Sequence, residues 1–391
     1  MLNRRILRIK AMQALYSFYT TRESMVAVVR DNLAHTFTPT AADHDLSDTE
    51  EIDAHRKQAL SLYDENLPLK KIDPAEVIPD EVFDEVSMAI DSYYSQVDNE
   101  VSRIRKQMLS ATYELQNIYY KFLLLPGEFQ HIELLDKEKK EASSFGKNQI
   151  WNHQFTKNPV VDALNSFQPL QRKVTSQKIS WQEDSPLLKA WYKEVLKEDE
   201  FFVSYQQKES PALEEHVEAL VHFYKKIIFK NEQMVEHWEL EDARWSENGG
   251  ILKSMLTKTI QAYEPDLDEP LELKTICVNQ EEDFEFFETI YDATIKENDY
   301  LEGLIGQRTK NWDVSRLAMT DKIILKMALA EMINCRSIPM KVTINEYIEI
   351  CKLYSTPKSK QFVNGILDVL ANQLTSEGVI KKTGRGLIDN K

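Results

Sequence analysis

Glycine is scarce in this chain, ten in 391 residues, and Leu, Glu, Lys, Ala and Gln recur at spacings of three and four with few runs of alternating Val, Ile and Thr. That pattern confines the chain to helix almost everywhere, so the predicted class is all-α. With 42 % apolar residues the length suffices for one large domain or two or three ordinary ones.

Charge is unevenly spread. Residues 1–20 hold Arg4, Arg5, Arg8 and Lys10 and no carboxylate, residues 302–391 hold 14 Lys/Arg against 9 Asp/Glu, and residues 21–301 hold 30 cations against 55 carboxylates. The net charge of −16 therefore hides two cationic ends. Such ends make one site only if the fold brings them together, and a polyanion is the ligand they would hold.

Residues 3–20 read as one helix, with Leu7, Ala11, Ala14, Leu15 and Phe18 as its apolar stripe and Arg4, Arg5 and Arg8 on a neighbouring face. Residues 33–78 turn polar and punctuated, which predicts a mobile excursion with one short helix near 50–63. A very long helix, or two in series, is expected over 80–125 with a stop at Pro126-Gly127, followed by a mixed, partly helical stretch over 127–183. Further helices are predicted at 184–205, 209–232, 233–245, 250–263, 281–308, 315–334, 343–354 and 358–374, and the tail from Ser376, with Lys381, Lys382 and Arg385, is expected to be disordered.

In the C-terminal part, Thr343-Ile344-Asn345-Glu346 fits a capping box, and Ile344, Tyr347, Ile348 and Cys351 form one buried stripe behind it. Helix 315–334 is apolar on most of its circumference, with Lys322 and Lys326 marking a narrow wet strip, and is predicted to be central to the terminal bundle. Before the last helix, Thr356 suits an N-cap and Pro357 the first helical position, and Lys358 and Lys360 then fall in the first turn. Cations on an already positive helix end suit a site where a phosphate supplies the negative charge. A solvated turn with incidental lysines is the plainer alternative.

Arg4-Arg5, Arg8 and Gln13-Ala14-Leu15-Tyr16 open the chain, and Tyr300-Leu301-Glu302-Gly303-Leu304-Ile305, Ile344-Asn345-Glu346, Lys352 and Lys360-Gln361-Phe362-Val363-Asn364-Gly365-Ile366-Leu367-Asp368 follow in that order toward its end. In these motifs both ends of the chain resemble the NusB family of bacterial transcription antitermination factors, the first set being similar to that family's arginine-rich first helix and the others following the family's order. The resemblance covers residues 1–20 and about 280–374. It implies an all-helical core of two small bundles with the first helix against the C-terminal helices, interrupted here by an acidic, mainly helical insertion over 21–279 and followed by a basic tail over 375–391.

The resemblance also implies a cytoplasmic factor that binds single-stranded boxA-like RNA as a heterodimer with the ribosomal protein NusE, within the transcription elongation complex. Arg4, Arg5 and Arg8 would contact phosphates, with Lys10 among the RNA-binding residues, Gln13 and Tyr16 would sit at the same surface, and Tyr354, Lys358, Lys360 and Gln361 would line it from the other side. Tyr16 and Tyr354 would be the stacking rings. Phe362 belongs either to that surface or to the core.

Other chemistry finds little support. NusB-like domains also occur fused to RNA cytosine methyltransferases, but neither a glycine-rich cofactor loop after a strand nor a matching nucleophilic cysteine is visible. No P-loop occurs, and Gly249-Gly250 is read as preceding a helix. His216, His222 and His237 have the wrong spacing for a helical metal pair, and the carboxylates of 281–302 read as a solvated face. Cys277, Cys335 and Cys351 read as core filler in a reducing compartment. No enzyme, cofactor or metal is expected. No apolar run is long enough to cross a bilayer, so a soluble protein is expected. The acid-free, Arg-bearing N-terminus also matches an organellar transit peptide. The rival function is a non-catalytic adapter that works through the acidic insertion.

Overall fold

The protein, seen in a computed structural model, is described over residues 4–38, 46–72, 78–142, 152–242, 244–276, 279–308 and 317–388. It forms two compact units: one spans Ser110–Val278, and the other joins Asn3–Leu109 to Asn279–Lys391. Among the described residues every regular element is helical, as expected from the sequence.

The terminal unit contains α1 (Arg4–Thr36), α2 (Leu46–Asn66), a 3-10 turn at Leu67–Leu69 and the first part of α3 (Asp80–Ala142). It continues with α11 (Gln280–Lys296), α12 (Asn298–Arg308), α13 (Met319–Asn334), α14 (Met340–Tyr354) and α15 (Ser359–Ser376). As predicted, α13 is central, packed by α1, α11, α12, α14 and α15. Its strip is drier than the sequence suggested, because Lys326 is buried and its Nζ donates to Glu302 Oε2 at 2.7 Å and Asn298 Oδ1 at 2.8 Å. The single helix expected over 281–308 breaks at Glu297, which separates α11 from α12.

The polar stretch after α1 differs from expectation. Its α2 buries Ala59, Leu62 and Tyr63 against Val29, Leu33 and Phe37 of the α1 end and Val82, Val86, Ile90 and Tyr93 of α3. That is a satellite three-helix core, in which each fully buried large side chain contributes about 1.5–3 kcal/mol. Residues 39–45 and 73–77 of this excursion lie outside the described residues.

The tail differs too. Ile380 is buried, the Thr383 amide donates to the Arg336 carbonyl at 3.0 Å, and Lys382 Nζ donates to the Cys335 carbonyl at 2.9 Å before a short 3-10 turn at Gly384–Leu387. A Cβ on Gly386 would lie 2.2 Å from the Arg336 carbonyl oxygen, a backbone atom that cannot swing aside. Gly386→Ala is accordingly expected to detach this strap, seen as faster hydrogen exchange at the Thr383 amide; unchanged exchange would mean that the strap is not held there.

The central unit contains the rest of α3, then α4 (Pro159–Ser166), α5 (Gln168–Gln177), α6 (Ser185–Glu194), α7 (Glu200–Gln207), α8 (Leu213–His222), α9 (Glu232–Glu241) and α10 (Trp245–Gln261). The predicted stop at Pro126-Gly127 does not occur, since both lie inside α3. A proline removes one backbone hydrogen bond, and here Leu123, Leu125 and Phe129 are buried on either side of it, while Gly127 admits the close approach of Asn165. Phe122 anchors an aromatic core, 4.9 Å from Trp238 and 5.5 Å from Phe229 by ring centroids, and Trp181 Nε1 donates to the Lys121 carbonyl at 2.7 Å. Gly249 and Gly250 sit within α10 rather than ahead of it, with Gly249 against the Trp245 ring.

The histidines of this unit have structural tasks. His216 hydrogen-bonds Tyr205 at 2.7 Å and burial lowers its pKa, His222 meets Asp199 at 2.9 Å, and His237 lies against Trp191 and Trp238. Among the described residues no group of three metal-ligating side chains occurs, and no helix is long and apolar enough to cross a membrane. Cys335 and Cys351 are free thiols, whereas Cys277 lies outside the described residues.

Candidate nucleic-acid interface

The cationic end of α1 is sorted by helical geometry into exposed and interior groups. Arg4 is exposed, with its guanidinium 5.2 Å from the Phe286 ring centroid. Arg5 is half-buried and makes a two-pronged bond to Glu346 of α14, with both N···O distances 2.8 Å. Arg8 and Lys10 point inward, at 2 % and 6 % exposure. Gln13 is half-buried, and Tyr16 stands out at 49 % exposure on the same face as Arg5, eleven residues and three turns further on.

Arg8 requires a correction to the expected phosphate contact. Its Nη2 and Nε meet Glu331 Oε1 and Oε2 of α13 at 2.6 and 2.7 Å, and its guanidinium lies 5.1 Å from the Phe286 ring. Thr343 Oγ1 donates to the same Glu331 Oε1 at 2.8 Å. A charge this deep needs its partner, and the partner here is a carboxylate of the protein. The Arg8 pKa is raised: burial opposes the charge, and the hydrogen bonds and charge of Glu331 outweigh it.

The capping-box reading of Thr343 and Glu346 is also overturned. The helix begins three residues earlier, at Met340 after Pro339, so Thr343 lies inside it and serves Glu331 while Glu346 serves Arg5. The bond to Arg5 holds the Glu346 carboxyl below the ordinary carboxylate range despite partial burial. The stripe behind it is as predicted, with Ile344, Tyr347, Ile348 and Cys351 buried.

The second cationic element is the turn between α14 and α15. Lys358, Lys360 and Gln361 are exposed and Tyr354 is half-buried. Thr356 does not cap an amide with its side chain; its hydroxyl meets that of Ser359 at 2.9 Å, and the helix starts at Ser359. The turn is held from below by Asp321, a buried residue in the first turn of α13, whose Oδ1 accepts from Ser355 Oγ at 2.5 Å and whose Oδ2 accepts from Ser359 Oγ at 2.7 Å. Asp321 thus supplies the negative charge at this helix end that the sequence argument gave to a phosphate.

The two cationic elements share α14 as their intermediary. Both α1 and α15 pack on α13 and α14, and Glu349 of α14 lies within electrostatic reach of Arg5 on one side and Lys360 on the other. Its carboxyl is held below the ordinary range first by its hydrogen bond from Lys352, with Arg5 and Lys360 adding to the effect. The surface that joins the two cationic ends is therefore one of alternating charge. Arg4, Lys358 and Lys360 are exposed cations without a carboxylate partner among the described residues, Lys352 is exposed and paired with Glu349, and Glu346 and Glu349 lie between the two basic elements.

Sequence reasoning missed Glu331 and Asp321. A carboxylate on the otherwise apolar circumference of α13 was the available signal, because a buried charge demands a partner elsewhere in the fold.

The model of the NusB family matches residues 251–372, which includes α11 to α14 and most of α15 but not α1. The transcription antitermination protein NusB of Bacillus pumilus is 34 % identical over 109 residues, 28 % of this chain and 83 % of that protein. The chain belongs to the NusB family. Proteins of the same name from Chloroherpeton thalassium and Salinibacter ruber are 44 % and 39 % identical over 105 and 104 residues, 27 % of this chain in each case. The chain spans 50 % and 65 % of the lengths of those two relatives. A solved NusB structure from T. maritima is 26 % identical and aligns with 36 % of this chain and 85 % of its own, but its TM-score of 0.23 is too low to carry a comparison of folds. In this NusB family member the matched region falls mostly in the terminal unit, together with the Arg8–Glu331 pair's acidic partner and the Lys358–Lys360 turn.

Proposed function

We propose that this NusB family member is a transcription antitermination factor that binds single-stranded boxA-like RNA through the terminal unit, in partnership with the ribosomal protein NusE. The observation that carries the reading is that Arg4 on α1 and Lys358 and Lys360 at the start of α15 stay exposed in one unit of a chain of net charge −16, with the half-exposed ring of Tyr16 on α1. Exposed cations alongside an aromatic ring are what a single strand requires: backbone charge is met without sequence preference, and bases stack. Acidic surface elsewhere on the chain would turn RNA away from other faces. Arg5 joins the contact surface only by releasing Glu346, and Arg8 and Lys10 support α1 from inside.

The rival is a protein adapter, and it is favoured by one observation: residues 110–278 form a compact unit with an aromatic core of their own, most of it beyond the family match. Titrating a fluorescent boxA-like RNA with the full chain, with and without purified NusE, separates the two readings. Saturable RNA binding that NusE strengthens is expected. A chain that retains NusE but shows no RNA affinity would establish the adapter instead.

A further inference from the structure

Away from the Arg4–Arg8 turn, a cleft of about 400 Å³ opens inside the terminal unit between the middle of α1, the Leu67–Leu69 turn, α3, α12 and α13. That volume lies within the range of small-molecule sites. Three of its walls, α1, the turn and the α3 segment carrying Tyr93 and Tyr94, lie outside the family match, and α12 and α13 lie within it.

Its lining combines rings with cations. Tyr19, Tyr93 and Tyr94 line it, Tyr93 as a ring of the satellite core at 2 % exposure and the other two half-buried, and the Tyr93 and Tyr94 rings stand 5.0 Å apart at 81°. Two of the three hydroxyls are fixed: Tyr94 donates to the Leu67 carbonyl at 2.6 Å, and Tyr19 donates to Asn298 Oδ1 at 3.0 Å. Of the cations, Lys326 is committed to Glu302 and Asn298. Arg22 offers only its Nε, to the Tyr93 hydroxyl at 3.2 Å, which leaves its two terminal nitrogens available. Among the described residues neither Arg22 nor Lys322 has a carboxylate within ion-pair distance, although Glu23 also lines the cleft. Arg22 and Lys322 thus stand beside tyrosine rings without an ion pair among the described residues, in a chain whose carboxylates outnumber its cations 64 to 48.

We infer that this cleft binds a planar aromatic ring bearing an anionic group, the chemistry of a nucleoside monophosphate. The ring would lie against the half-buried rings of Tyr19 and Tyr94, since every base offers a π-face, and the phosphate would take charge-assisted hydrogen bonds from Arg22 and Lys322. The ligand is either a free nucleotide or one nucleotide of a strand, and both present the same groups. The inference does not depend on the RNA reading above, because it can be measured without RNA.

The test is calorimetric titration of the full chain with adenosine 5′-monophosphate, alongside adenosine and inorganic phosphate. Saturable binding of the monophosphate at one site is expected, with adenosine and phosphate each weaker. Lys322→Gln and Arg22→Gln should each weaken it about tenfold or more, the scale of one hydrogen bond to a charged group. Circular dichroism of both variants checks that the fold is retained. A monophosphate displaced by single-stranded RNA identifies the strand as the source, and one that RNA leaves in place identifies a free nucleotide. No saturable binding of the monophosphate, or an affinity unchanged in both folded variants, would overturn the assignment.

Discussion

Replacing Arg8 by alanine is expected to destabilise the terminal unit by about 3–5 kcal/mol, because it leaves the buried Glu331 carboxylate without its counter-charge. The side chains of Arg8 and Glu331 are 2 % and 0 % exposed, so water cannot substitute for the lost guanidinium. Thr343 would remain as a donor to one carboxylate oxygen, and one hydroxyl does not neutralise a charge. The measurement is urea unfolding followed at the terminal unit by hydrogen exchange. The paired substitution Arg8→Met with Glu331→Leu should recover most of the loss, since an apolar pair of similar volume needs no desolvated charge. If Arg8→Ala proves as stable as the parent, Arg8 is a surface residue in solution and belongs with the RNA contacts after all.

Tyr16→Ala is expected to weaken boxA-like RNA by about 1–3 kcal/mol, roughly tenfold to a hundredfold, the range for losing one base-stacking ring. At 49 % exposure the ring contributes little to the core, so unfolding should scarcely change, in contrast with Arg8→Ala. Tyr16→Phe should retain most of the affinity because stacking uses the ring rather than the hydroxyl. Anisotropy titrations of the three proteins against one RNA give the comparison. Equal affinity across all three would remove Tyr16 from the interface.

The fold class was legible because helical periodicity is local. The stripe Ile344, Tyr347, Ile348 and Cys351 can be read within one helix and is buried as that reading requires. The terminal bundle with α13 at its centre follows from the same kind of signal. What local grammar cannot reveal is a partner more than three hundred residues away: Arg5 with Glu346 and Arg8 with Glu331 both close across the whole insertion. Thr343 and Glu346 show the hazard, since a complete local explanation was at hand while tertiary partners claimed both side chains.

The same cause explains Lys326, which looked wet by its spacing and is held by Glu302 and Asn298, and Pro126, whose helix-breaking tendency is overridden by packing on either side. Of the candidate residues, Arg4, Tyr16, Lys358, Lys360 and Gln361 are at the surface, as a contact role requires. The residues that hold the surface in place, Asp321 and Glu331, became visible only with the fold.

The most direct measurement is the salt dependence of RNA binding by the parent chain and by Lys358→Gln/Lys360→Gln. Neutralising three phosphates with Arg4, Lys358 and Lys360 predicts a slope of log K against log salt near about −2, falling to about −0.7 in the double variant. A parent slope near zero, or the same slope in both proteins, would show that these exposed cations do not hold the RNA backbone.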